Sequence, residues 1–193
     1  MAHPPTPDSS TAIHNPAIKL AKSGLLILAG VAVITASAKI TVPFWPVPMT
    51  LQTMAIMAIA VASGPRMALA IMLAYLGAGA MGLPVFAGTP ERGIGIAYMM
   101  GPTGGYLAGY LISAGLVGAL AQGRGAFGRF IVMMGGMIPV YLLGLAGLSS
   151  FVPSEQVLAL GFTPFILGDT IKIALVAFGF AAVNRLKSRH AVA

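Results

Sequence analysis

The sequence predicts an all-α membrane protein, a bundle of six transmembrane helices with both termini cytoplasmic. Three observations carry this. First, 58% of the 193 residues are hydrophobic. Second, only 11 basic and 4 acidic side chains are present, 8% of the chain, where a soluble domain has roughly 25%. A soluble fold of this length could not cover its outside with so few polar groups, so lipid must cover much of it. Third, apolar stretches near the length of a bilayer crossing recur six times.

The elements follow in order. Residues 1–18 carry four Pro and several small polar residues. They lack the basic start and apolar core of a cleaved signal, which predicts a disordered tail. Residues 19–193 then form one six-helix transmembrane domain. Its spans are about 23–38, 49–63, 67–85, 102–122, 130–151 and 164–184. Gly64-Pro65 ends the second. The first outer loop, Lys39 to Pro48, holds three prolines and the only Trp, and reads as stiff and extended. The second outer loop, 86–101, turns apolar from Ile94 to Met100. Apolar loop residues are poor in water, so it is expected to fold back over the bundle rather than extend the fourth helix. Pro102 suits that helix's first turn.

Charge sets the orientation. With a cytoplasmic N-terminus, eight basic residues lie inside (Lys19, Lys22, Arg66, Arg124, Arg129, Arg185, Lys187, Arg189) and two outside (Lys39, Arg92). Positive charge concentrates in short cytoplasmic loops. The net charge of +7 is thus a footprint of membrane insertion. Nucleic acid is not an expected partner, because no basic face or cluster appears. The absence of Cys excludes disulfides and thiolate chemistry. The three His lie in the terminal stretches, so neither a His-based metal site nor a Ser/His/Asp arrangement is expected. No enzyme, cofactor or metal is predicted.

Three groups of residues could carry function. Asp169 and Lys172 lie at spacing i, i+3 on one face of the sixth span. Ionisable groups at mid-membrane cost about 2.5–3.5 kcal/mol each on insertion scales, and they face partners or cavities. At about 1.5 Å per residue from Pro164 they sit roughly 8 and 12 Å along the helix, in its outer half. They form either a self-neutralising structural pair or a polar ligand site open to the outside. Gly101-Pro102-Thr103-Gly104-Gly105-Tyr106 starts the fourth helix on the same side. Its glycines serve either a ligand or helix packing, as in Gly105-x-x-x-Gly109. Gln52, among apolar neighbours, needs partners from a ligand or another helix. Glu91 and Arg92 read as a solvated loop pair. All three groups converge on the outer side.

These motifs resemble a known family. Pro46-Val47-Pro48-Met49-Thr50-Leu51-Gln52-Thr53, Gly82-Leu83-Pro84-Val85-Phe86-Ala87-Gly88, Gly101 to Tyr106 and Gly168-Asp169-Thr170-Ile171-Lys172 occur in this order. Together they look like the BioY family, the biotin-binding S components of bacterial energy-coupling factor (ECF) transporters. The resemblance spans about residues 20–185. It implies a multi-pass protein of the bacterial inner membrane with an outward-open biotin site. It also implies a transmembrane coupling protein and cytoplasmic ABC ATPases as partners. By resemblance, Asp169 and Lys172 are the polar ligand contacts. Asp169 would accept ureido N–H bonds, while Gln52, Tyr98, Gly101, Thr103, Gly104 and Gly105 would line the pocket. Phe44 and Trp45 would belong to a lid, and Ala29, Ala32 and Ala36 to a partner-coupling surface. In the family the stretch matching Thr89 to Arg92 is glycine-rich, so no ligand role is expected of Arg92. The alternatives are an S component for another vitamin, such as thiamine or riboflavin, and a channel or intramembrane enzyme.

Overall fold

The computed structural model describes the backbone of residues 16–42 and 45–190, and the side chains of 17–41 and 45–183. Most of the expected tail, 1–15, and Phe44 lie outside the described residues. Helix α1, Pro16–Lys39, begins inside the stretch expected as tail. A two-residue antiparallel ladder follows, β1 Thr41–Val42 with β2 Met49–Thr50, Thr41 facing Thr50. The outer loop is therefore closed at its base rather than simply extended.

Helix α2, Gln52–Ala80, is two helices joined at Gly64, whose φ of 75° and ψ of 175° are non-helical. Only glycine adopts this conformation without strain, and Pro65 supplies the fixed φ that restarts a helix. The arms, 52–63 and 65–80, fold back on each other. Gln52 Nε2 donates to Tyr75 Oη at 3.2 Å, and these residues lie at similar distances either side of Gly64. The expected end of a span at Gly64-Pro65 is thus a hairpin between helices. A Gly64→Ala variant is expected to lose about 1–3 kcal/mol of stability, read as a lower thermal midpoint by circular dichroism.

The remaining elements are α3 Gly95–Met99, α4 Gly104–Leu120, α5 Ala126–Leu148, α6 Val157–Gly161 and α7 Thr163–His190. Four helical stretches, Ala17–Lys39, Gln52–Ala80, Ala126–Leu148 and Ser154–Val183, are long and apolar enough to cross a membrane, and α4 is a shorter apolar helix. With α2 doubled back, they make a six-traverse, all-α membrane protein. Helices α4 and α5 pack most intimately, because glycines remove the side chains between them. A Cβ on Gly109 would come within 2.5 Å of Val140 Cα. The α1 helix packs chiefly on α2, where a Cβ on Gly30 would reach 2.7 Å from the Ile71 side chain.

The second outer loop departs from expectation in part. It does break before α4, which starts at Gly104 rather than Pro102. Val85, Phe86, Ala87, Thr89 and Tyr98 turn inward and are buried. Ile94, Ile96 and Met100 stay exposed. The short α3 can pack only one face, and Tyr98 takes it. Arg92 is no merely solvated partner of Glu91, since its Nη1 donates to Pro46 O at 3.0 Å and ties the two outer loops together.

Candidate functional site

Helix α7 presents Asp169 and Lys172 to the interior one turn apart, 5% and 8% exposed. Lys172 Nζ donates to Asp169 Oδ1 at 3.0 Å and to the Thr50 carbonyl at 2.7 Å. That carbonyl ends β2, so the outer hairpin is pinned to α7. On the other side, Tyr141 Oη of α5 donates to Asp169 Oδ2 at 2.7 Å. Buried charge is costly unless paired and hydrogen-bonded, and here both conditions hold. Some capacity remains. A carboxylate has about four lone-pair sites and an ammonium three N–H donors. After these bonds, two acceptor sites and one donor are left.

These groups line a cavity at the end of the bundle that carries the β1–β2 ladder. Gln52 and Thr53 of α2, Tyr106 and Tyr110 of α4, and Phe165 of α7 share its wall, with Tyr98 and Thr103 towards the outer loops. Its aromatic and aliphatic lining with a few convergent polar groups suits a small organic ligand. Most polar groups are held by the protein itself. Gln52 bonds Tyr75, and Tyr75 Oη donates to Val85 O at 3.1 Å. Thr53 Oγ1 and Tyr110 Oη lie 2.6 Å apart. Tyr106 Oη donates to Gly161 O at 2.7 Å, fastening α6 to α4. Gln52 thus bridges the two α2 arms and also lies on the cavity wall.

Ala87 of the 85–89 segment also lines the cavity. Lys39 Nζ, at the end of α1, donates to Phe86 O, Thr89 O and Thr89 Oγ1 at 2.8–3.0 Å. Phe86 stacks on Tyr98 with centroids 4.9 Å apart, and Tyr98 Oη donates to Ala87 O at 2.8 Å. Burial pushes the Tyr98 phenol above its ordinary range, so it stays a neutral donor at any physiological pH.

Of the residues singled out by sequence, Asp169, Lys172, Gln52, Tyr98 and Thr103 come together on this cavity. Gly101 lines a smaller adjoining pocket with Pro46 and Arg92. Gly104 and Gly105 do not line either one. A Cβ on Gly104 would strike the Met99 carbonyl, and one on Gly105 the Leu143 carbonyl. These approaches support the helix-packing reading of the two glycines. Trp45 points outward, 73% exposed. Ala29, Ala32 and Ala36 are all exposed on α1. Sequence reasoning missed Tyr141, Tyr110, Tyr106 and Thr50. For Tyr141 a signal existed, a polar tip within an apolar span just after Pro139; for a backbone carbonyl such as that of Thr50 there was none. Among the described residues, no group of three His, Cys, Asp or Glu could hold a metal ion.

The model of the BioY family matches residues 9–189. The chain belongs to the BioY family. A biotin transporter of Thermotoga maritima is 36% identical over 166 residues, covering 84% of this chain and 96% of that one. A biotin transporter of Lactococcus lactis is 36% identical over 166 residues, 83% and 90% of the two chains. Among solved structures, the S-component for biotin from an ECF-type ABC transporter superposes with a TM-score of 0.74. It has 28% identity and covers 89% of this chain and 95% of its own. BioY proteins are transporter S components, not enzymes. The four motifs quoted from the sequence all lie within the BioY match.

Proposed function

We propose that this chain captures biotin in the cavity at the outer end of the bundle, as the S component of an ECF transporter. The observation that carries the reading is the unspent hydrogen-bonding capacity of the Asp169–Lys172 pair. Two carboxylate acceptor sites meet the two ureido N–H groups of biotin. The remaining Lys172 N–H meets a ligand oxygen. The tyrosines and Phe165 receive the apolar thiophane ring and valerate stem. The names of the similar proteins support the same ligand.

The distribution of Lys and Arg supports cytoplasmic termini, with the cavity then opening to the outside. The exposed Ala29, Ala32 and Ala36 of α1 then offer a surface of small residues to a transmembrane coupling protein. Cytoplasmic ABC ATPases would supply the energy, and the setting is the bacterial inner membrane.

Equilibrium binding to the purified protein, with thiamine and riboflavin as competitors, tests the reading. Displaceable biotin binding that neither vitamin competes supports it. No biotin binding overturns it. Trp45, together with Phe44, would close over the bound ligand. Because Trp45 is the only Trp and is exposed, biotin is expected to shift its emission to shorter wavelength. An unchanged spectrum at saturating biotin removes Trp45 from the lid.

A further inference from the structure

Behind the cavity, on the exposed apolar face of the bundle, lies a second hollow between α5 and the α6–α7 bend. Met137, Ile138, Leu142, Leu158, Phe162 and Ile166 line it, and it carries almost no polar surface. In a bilayer this side meets hydrocarbon. Among the described residues Tyr141 alone lies on both linings. Its ring stands edge-on to Phe162, centroids 4.8 Å apart, while its hydroxyl reaches Asp169 Oδ2 at 2.7 Å.

The carboxylate torsion of an aspartate is soft and broad. One bond, from Lys172 to Oδ1, leaves the carboxylate plane free to turn. A second donor on Oδ2 fixes it. Behind the phenol the lining is apolar and offers no other donor to Oδ2. We infer that Tyr141 is a positioning residue for ligand capture: its hydroxyl fixes the plane of the Asp169 carboxylate, and its ring keeps bilayer hydrocarbon out of the polar cavity. The inference rests on the biotin reading for its ligand, while the hydrogen bond itself can be tested without one.

The test is a double-mutant cycle on biotin affinity. Tyr141→Phe keeps the ring and removes the hydroxyl, and is expected to weaken binding about tenfold, the order of one hydrogen bond to a charged group. In an Asp169→Asn background the same change is expected to add less than about twofold, because the group it positions is gone. A merely structural role would instead multiply the two losses. Tyr141→Leu removes the partition too and is expected to bind about tenfold more weakly than Tyr141→Phe, with folding checked by circular dichroism. Wild-type affinity in Tyr141→Phe, or multiplicative losses, overturns the positioning role. Equal losses in the Phe and Leu variants overturn the partition.

Infrared difference spectra make the inference independent of biotin. The chain has only four acidic side chains, so the Asp169 carboxylate stretch is resolvable by comparison with Asp169→Asn. It is expected to shift in Tyr141→Phe without ligand. If the wild type fails to bind biotin, the proposed function falls and this spectrum alone decides: a shift upholds the bond to Asp169, and an unshifted band overturns it.

Discussion

Purified Asp169→Asn protein is expected to bind biotin at least about 30-fold more weakly than the wild type. The amide keeps one acceptor oxygen where the carboxylate had two, and it carries no charge. Lys172 and Tyr141 already donate to this group, so they and the ligand's N–H groups would compete for a single oxygen. Removing one partner of a buried, hydrogen-bonded charge pair costs roughly 2–5 kcal/mol, and each 1.4 kcal/mol is about tenfold in affinity. Lys172→Ala is expected to weaken binding by a similar order and to destabilise the fold by about 3–5 kcal/mol, because Asp169 is left charged and under-compensated. Replacing both residues with Leu and Met should restore much of the stability and none of the binding. Isothermal titration and thermal unfolding of the three variants check this. Wild-type affinity in both single variants would remove the pair from the site. Recovery of binding in the double variant would do so too.

Gly105→Ala is expected to lower the thermal midpoint by several degrees and reduce the yield of folded protein. The added methyl would press on the backbone carbonyl of Leu143, and a helix backbone cannot step aside as a flexible side chain can. Inserting a group into a packed core typically costs about 1–3 kcal/mol. Gly109→Val, against Val140 and Pro139, should be worse. Because α4 carries Tyr106 and Tyr110 and α5 carries Tyr141, prising these helices apart should also weaken ligand binding. Gly179→Ala is the matched control, since its Cβ would meet nothing within 4 Å and alanine is the better helix former. Equal behaviour of the Gly105 and Gly179 variants would show that α4 and α5 do not depend on this contact.

What the sequence made legible was whatever stands out against an apolar background. A charged pair inside a span, a Gly-Pro break and a bias in Lys and Arg are each rare events with one dominant cause. Asp169, Lys172 and the turn at Gly64 were read for that reason. Tyr141 was not, because a tyrosine in an apolar span is ordinary until its neighbour across the fold is known. Gly104 and Gly105 looked alike as ligand-facing or helix-facing residues, and the backbone of Met99 and Leu143 against them could be seen only in the fold. Arg92 seemed to belong with Glu91 next to it in the chain. Its bond to Pro46 joins loops 46 residues apart, a separation that no local pattern encodes.

The hairpin at Gly64 has a consequence for where the cavity lies. The arm 52–63 rises only about 18 Å, whereas α1 and α5, of 24 and 23 residues, rise roughly 35 Å. The arm is the inner member of this group, largely enclosed by its neighbours. Its missing turns therefore leave space at that end of the bundle, and Gln52, Thr53, Val47 and Pro48 line the cavity there. The hollow was made by truncating a helix, not by carving side chains out of a core. Its depth is set by where the chain elects to start coiling.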